Sequence, residues 1–125
     1  MGYTNYFNQR RNFNDDEWKL LQDEVTYLNE CGRIILRTDT PHEVIAFDGK
    51  GEDTCETLVL AKDLSFHWLE NDEITKKWIY DKYVKRGYYF GFCKTRMYPY
   101  DIDVWHLLTY CRVISPENFS CGRDR

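Results

Sequence analysis

Residues 92–101, FCKTRMYPYD, join a predicted strand to a predicted helix, and the interpretation of the chain starts from them. The aromatic run GYYFGF leads into them and predicts a strand over residues 88–94, in which Gly91 indicates close approach by a backbone or a ligand. Asp101 is placed as the N-cap of a final helix, because apolar residues at helical spacing follow it. Polar side chains therefore gather where this strand ends.

The N-terminal part of the chain predicts one strand and the clearest helix. Residues 2–7, GYTNYF, alternate in the period of a strand. Asn14 and Glu17 have the spacing of a capping box, and apolar residues then recur every three or four positions over a helix at 15–31. Gly32 is a natural stop for this helix.

The other segments complete an α+β prediction. Strands are expected at 33–37, 43–47 and 55–61, and the last two are expected to pair as a hairpin. A helix is expected at 71–86 and a tail at 115–125. Within the second helix, Ile74 and Trp78 are expected to face inward. Together the segments predict a mostly antiparallel sheet of four to five strands with two or three packed helices.

Length, charge and composition limit the class of protein. With 125 residues, the chain is expected to form a single domain, 1–125. Lys and Arg number 17 against 21 Asp and Glu, and the net charge of −4 argues against general nucleic-acid binding. No apolar run predicts a membrane partner or a signal peptide, so a cytoplasmic location is expected. An aromatic content of 17% favours a homodimer.

Cofactor and metal sites are not expected. The five cysteines have no CxxC spacing, so they predict free thiols and no metal site. No phosphate loop or dinucleotide motif is present in the sequence, so no cofactor is predicted. Neighbouring cations would activate the Cys93 thiol, but on a strand its side chain points away from Lys94. A catalytic nucleophile is therefore not assigned.

The polar residues of the late stretch fit an anionic ligand. Lys94 and Arg96 flank the Thr95 hydroxyl and share one face if the strand continues to residue 96. Arg supplies a bidentate fork and Lys a point charge for phosphate or carboxylate. Asp101 either caps the last helix or accepts hydrogen bonds from a ribose or base. The alternative for both cations is a solvated charge or an ion pair with Glu56.

Further residues extend this predicted site. Glu56 lies on a predicted strand, where it either occupies a solvated edge or enters a pocket to orient the cations. Tyr3, Tyr6 and Tyr100 offer rings for stacking and hydroxyl groups for hydrogen bonds, or they are core aromatics with one wet end.

Three blocks, GYTNYF (2–7), FDGKGEDTCETLVL (47–60) and FCKTRMYPYD (92–101), resemble a family of small proteins from phage and bacterial genomes. Its members carry GYTHYF/W, FNG…HETF and FCKTARKPYD blocks in the same order. The resemblance implies one small domain and a phage setting, which would place the protein in the host cytosol. Asn5, Asp48 and Cys55 replace the family's His, Asn and second His, so a mechanism that needs either His is in doubt here.

The predicted function is the capture of a small anionic or nucleotide-like ligand. In a phage setting, such a protein acts as an anti-defence sponge that sequesters a nucleotide-derived immune signal. Lys94 and Arg96, which flank the Thr95 hydroxyl, would hold phosphate. The rings of Tyr3, Tyr6 and Tyr100 would stack or form hydrogen bonds, and Glu56, Asn5 and Asp101 would contact ribose or base. Two alternatives stay open: a protein-interaction inhibitor of a host defence factor, and an enzyme acting on a nucleotide-like ligand with Glu56 or Asp101 as acid or base.

Overall fold

The computed structural model describes residues 3–40, 43–64 and 73–124, and three helices and six strands lie in this part of the chain. In chain order they are β1 (Thr4–Gln9), α1 (Asp15–Glu30), β2 (Ile35–Leu36), β3 (Val44–Asp48), β4 (Leu58–Ala61), α2 (Glu73–Arg86), β5 (Tyr89–Lys94), α3 (Asp101–Ile114) and β6 (Phe119–Asp124). Among the described residues, no helix is long and apolar enough to cross a membrane.

The strands form two antiparallel sheets. Sheet A has the order β5-β1-β6, and sheet B has the order β2-β3-β4. The α+β class is confirmed, and so is the predicted β3–β4 hairpin. The expectation of one sheet with four to five strands is corrected to six strands in two sheets of three. Both neighbours of β1 come from the last third of the chain, and local periodicity does not reveal such distant pairing.

Helix α1 forms where its local signals predict it. The Asn14 side chain accepts a hydrogen bond from the Glu17 N–H at 2.8 Å, and the Glu17 carboxylate accepts one from the Asn14 N–H at 3.0 Å. This capping box satisfies two donors that the helix start leaves free. Gly32 follows the helix with a φ of 73°, a left-handed conformation that glycine adopts without strain.

One cluster of buried side chains joins both sheets to α1 and α3. At its sheet A side, the rings of Phe7 and Phe119 stack with centroids 5.2 Å apart. Gly91 lies against Phe7, and a Cβ at this glycine would be 2.3 Å from the Phe7 ring. The close approach expected at Gly91 is therefore made by a core ring. Burial of these apolar surfaces is the main favourable term in folding.

Three local predictions are wrong. Tyr100, not Asp101, is the N-cap of α3, and Asp101 lies in the first turn with its side chain buried. Residues 119–124 of the predicted tail form β6, which pairs with β1. Ile74 and Trp78 of α2 are 80% and 59% exposed, and among the described residues the buried core cluster includes none from this helix. Residues 71–72 of the predicted second helix lie outside the described residues.

Candidate functional site

The nine residues predicted to bind a ligand lie around β1 and the end of β5, and strand alternation divides them between two environments. The buried ones are Asn5, Thr95, Tyr100 and Asp101. The exposed ones are Tyr3, Tyr6, Lys94 and Arg96, and Glu56 is half-buried.

The register of sheet A defines its two faces. The inner face carries Asn5, Phe7, Gln9, Tyr89, Gly91, Cys93, Phe119, Cys121 and Arg123 and packs on the core. The outer face carries Thr4, Tyr6, Asn8, Phe90, Phe92, Lys94, Ser120, Gly122 and Asp124.

Asp101 is the centre of a closed polar network on the inner side. Its Oδ1 accepts hydrogen bonds from Asn5 Nδ2 at 2.8 Å and from Thr95 Oγ1, and its Oδ2 accepts one from Arg123 Nη2. Arg123 Nε also donates to Asn5 Oδ1 at 2.9 Å, and its guanidinium lies 4.8 Å from the Trp105 ring centroid. Buried polar groups need such partners. The network joins β1, β6 and the end of β5 to the start of α3.

Glu56 lies in the loop before β4, so the prediction that it lies on a strand at 55–61 is wrong. Together with Tyr100, it fastens this loop to the end of β5. The Tyr100 hydroxyl donates to the Glu56 carbonyl at 2.8 Å and accepts from the Cys55 N–H at 3.1 Å. Burial is the main cause that raises the pKa of Tyr100 above its usual range. The Glu56 carboxylate accepts the backbone N–H of Lys94 at 2.7 Å, and the Glu56 N–H donates to the Lys94 carbonyl at 3.0 Å. Glu56 therefore covers part of an open sheet edge, as edge strands require.

The Cys93 thiol is unsuited to nucleophilic chemistry. It is fully buried on the inner face, with Sγ 3.4 Å from the Glu56 carbonyl oxygen. Burial, and then the charge of Glu56, raise its pKa well above the usual range. The thiolate is the nucleophilic form of cysteine, and this environment disfavours it.

Two cations are exposed where β5 ends: Lys94 is its last residue, and Arg96 lies in the strained turn that follows. Arg96 and Met97 have φ of 54° and 61°, which is the left-handed region that residues other than glycine rarely adopt. Lys94 and Arg96 are both exposed. Neither side-chain cation has a hydrogen-bond or ion-pair partner among residues 3–40, 43–64 and 73–124. Strained backbone of this kind concentrates at functional sites.

An exposed aromatic row crosses the outer face next to Lys94. The rings of Tyr6, Phe90 and Phe92 are 37%, 44% and 51% exposed. Centroids are 6.3 Å apart for Tyr6 and Phe90 and 6.2 Å apart for Phe90 and Phe92. The Tyr6 ring lies over Gly122, where a Cβ would be 2.7 Å from the ring. The outer face thus combines flat rings with an exposed cation, as in sites that stack bases.

Phe90, Phe92 and Arg123 belong to the aromatic row and the polar network, but they were not among the residues predicted from the sequence. Phe90 and Phe92 alternate with the buried Cys93 and Gly91, so the period-two pattern of the strand contained the signal for an aromatic face. Arg123 was missed because its segment was interpreted as a tail. Its only signal is the weak alternation of Phe119, Cys121 and Arg123 in a segment that also holds a glycine.

Metal coordination and comparison with known proteins add no assignment. In the part of the chain that the structure describes, no group of three or more His, Cys, Asp or Glu side chains could hold a metal ion. Comparison of the chain with protein-family models, curated proteins and solved structures gave no match. The resemblance to the phage family therefore stays a prediction.

Proposed function

We propose that the protein binds a nucleotide-like anion on the outer face of sheet A and retains it without turnover. The observation that carries the proposal is the row of Tyr6, Phe90 and Phe92 on the same face as Lys94, with Arg96 exposed in the turn that follows the strand. Aromatic rings stack on bases, and base–aromatic stacking contributes about 1–3 kcal/mol per base. Lys and Arg supply charge-assisted hydrogen bonds for phosphate.

In this proposal the ligand lies on the outer face of sheet A, on the side opposite the inward-facing polar residues that the sequence predicted as contacts. Asn5, Thr95, Asp101 and Tyr100 have hydrogen-bond partners inside the protein, so they support the face from behind. Tyr6, Lys94 and Arg96 remain as contacts for the ligand. Tyr3, which is 40% exposed, precedes β1 and accepts the Thr95 N–H through its carbonyl at 3.1 Å, so it lies beside the cationic turn.

Retention is favoured over turnover by the state of the reactive groups. The Asp101 carboxylate is occupied by three donors, and the Glu56 carboxylate accepts a backbone N–H. A general acid or base must reach the proton that it transfers. The sponge role in a phage setting is part of this proposal, because sequestration needs affinity and no catalytic group.

The test is isothermal titration calorimetry with the four ribonucleoside 5′-monophosphates, followed by recovery of the ligand after heat denaturation. Phe92→Ala should weaken binding by roughly tenfold through lost stacking, and Lys94→Ala should weaken it by a similar factor. Matched controls are Tyr27→Ala, an aromatic that is 61% exposed on α1, and Lys50→Ala, an exposed lysine of another loop.

Each outcome of this test has one meaning. Selective loss in the two outer-face variants with intact recovered ligand supports the proposal. Recovery of an altered ligand would make the protein an enzyme. Equal losses in the outer-face variants and their controls, or no binding of any nucleotide in the wild type, would refute nucleotide binding at this face.

One observation favours the alternative of binding to a host protein. Helix α2 exposes Ile74, Trp78 and Val84 by 80%, 59% and 62%, and exposed apolar groups on one helix mark protein contacts. If this alternative holds, Trp78→Ala abolishes binding to the host factor in a pull-down, whereas Phe92→Ala leaves it unchanged.

A further inference from the structure

The aromatic row extends along the strand between two groups of cations. Lys94 and Arg96 lie at the end of β5, and Arg86 lies just before its start, 5.8 Å from the ring centroid of Tyr88. From residue 88 to residue 94, an extended chain covers about 20 Å at 3.4 Å per residue. One mononucleotide is too short to contact both groups of cations.

Charge is segregated within this acidic protein. Helix α2 carries five basic and two acidic residues, a formal charge of +3, and its last residue, Arg86, lies just before β5 and beside the Tyr88 ring. Helix α1 carries one basic and six acidic residues, a formal charge of −5. It packs on α3, which covers the inner face, so α1 lies on the opposite side of sheet A from the aromatic row. The net charge of −4, which argues against general nucleic-acid binding, is therefore not the charge near this face.

The shape of the face also indicates the kind of ligand. Small-molecule sites are concave and bury most of their ligand. The three rings here lie on the open face of a sheet and are 37–51% exposed. Sheets that present two or three exposed aromatic residues on adjacent strands stack successive bases of a single strand. Tyr6 on β1 and Phe92 on the neighbouring β5 are direct register partners.

Resting on the proposed function, we infer that the ligand is a single-stranded oligonucleotide laid along β5. Its bases stack on Tyr6, Phe90 and Phe92, and its phosphates contact Lys94 and Arg96 at one end and Arg86 at the other. The 20 Å span corresponds to about six nucleotides at the 3.4 Å rise of a stacked strand, and to fewer in an extended one. Four to six nucleotides therefore fill the site.

The experiment is fluorescence anisotropy with labelled oligouridylate and oligothymidylate of two, four, six and ten nucleotides, with a 20-base-pair duplex as a shape control. Affinity should rise with length up to four to six nucleotides and then level off, and the duplex should bind more weakly. About three phosphate contacts predict a slope near −2 in log K against log salt, which is roughly a 15-fold loss between 50 and 200 mM. Comparison of the oligouridylate and oligothymidylate series shows whether the protein prefers single-stranded RNA or single-stranded DNA.

Arg86→Ala distinguishes this inference from the proposed function. It should weaken hexanucleotide binding several-fold and reduce the salt slope by about 0.7, while mononucleotide binding stays unchanged. The matched control is Lys19→Ala on α1, which should change neither. If mononucleotide and hexanucleotide bind equally well, or if Arg86→Ala has no effect on the hexanucleotide, the inference is wrong and the proposed function stands. If no nucleotide of any length binds, both are wrong.

Discussion

Both faces of sheet A carry aromatic and basic side chains, which are packed or paired on the inner face and exposed on the outer face. On the inner face, Phe7 and Phe119 stack inside the core, and Arg123 is held by Asp101 and Asn5. On the outer face, Phe90 and Phe92 are exposed, and Lys94 has no ion-pair partner among the described residues. Similar side chains therefore stabilise the fold on one face of sheet A and are exposed to solvent on the other.

The largest expected effect comes from breaking the inner network. Asp101→Ala leaves the Arg123 guanidinium and the donors of Asn5 and Thr95 without their acceptor. Removing one partner of a buried pair costs about 3–5 kcal/mol, and we expect about 3 because the Arg123 side chain is 23% exposed. Urea unfolding followed by circular dichroism measures the loss.

The control for this prediction is Asp124→Ala at the exposed end of β6, the strand that carries Arg123, and it should change the free energy of unfolding by less than about 0.5 kcal/mol. A loss below about 1 kcal/mol in Asp101→Ala would contradict a structural role for the network. The carboxylate would then be a better candidate for ligand contact.

Acid pH should lower the free energy of unfolding by protonating Glu17. Its hydrogen bonds to the Arg11 guanidinium lower its pKa from 4.5 to about 2. A carboxyl group with a lowered folded-state pKa stabilises the protein above pH 4.5, and this contribution is lost as the pH falls towards 2. We expect on the order of 2 kcal/mol, because the Arg11 side chain is 41% exposed and screened.

The measurement is urea unfolding at pH 6 and pH 2.5 for the wild type and Glu17→Gln. The loss between the two pH values should be about 2 kcal/mol smaller in the variant, because Gln does not titrate. Nucleotide binding at the outer face should be the same in both proteins at pH 6. An equal acid-induced loss in both proteins would remove Glu17 from the explanation.

Alanine substitutions at two glycines, one on each face of sheet A, allow the stability of the two faces to be compared directly. A Cβ at Gly91 would be 2.3 Å from the buried Phe7 ring, and a Cβ at Gly122 would be 2.7 Å from the half-exposed Tyr6 ring. Gly91→Ala should cost about 1–3 kcal/mol, because overpacking forces a core ring to move. Gly122→Ala should cost less than 1 kcal/mol, because Tyr6 can turn towards solvent.

The same two substitutions should affect nucleotide binding in the opposite order. Gly122→Ala displaces Tyr6 from the aromatic row, so it should weaken nucleotide binding more than Gly91→Ala does, when both are measured by calorimetry at a temperature where both proteins are folded. Equal stability losses for the two glycines, or stronger loss of binding in Gly91→Ala, would contradict the division between the faces.

The smallest expected effect concerns the strained turn. Met97→Gly should raise the free energy of unfolding by about 0.5 kcal/mol, because relief of the left-handed conformation exceeds the added entropy of the unfolded chain. Met97→Ala is the control and should give no gain, since alanine has the same left-handed penalty. A gain in both variants would show that loss of the methionine side chain, not backbone strain, is the cause.

The local features of this fold were predictable, and the distant ones were not. The Asn14–Glu17 capping box and the apolar period of α1 act within a few residues, so the helix was predicted to within a residue of its observed bounds. The strand β6 was interpreted as a tail, because its stability comes from pairing with β1, more than a hundred residues away. Pairing of this kind leaves little trace in the segment itself.

The candidate site was predicted only in part, because some of its residues are brought together by contacts between distant segments. Lys94 is exposed because it follows the period-two alternation of β5. The strand does not continue to residue 96 as the shared face of the two cations requires, and Arg96 is exposed in the left-handed turn that follows. Asp101 and Asn5 turn inward to Arg123, and no local pattern in the sequence places Arg123 beside them. The aromatic residues Phe90 and Phe92 were visible in the sequence, but only the pairing of β1 with β5 shows that Tyr6 joins them.

The α+β class, the capped first helix and the alternation that exposes Lys94 follow from the sequence alone, because each depends on neighbours within a turn or a strand. Only the tertiary structure decided that sheet A has a packed face and an aromatic outer face. That decision depends on which strands meet β1 and on α3 covering one side of them. Contacts between distant segments, formed to bury apolar surface, set which side chains remain exposed for a ligand.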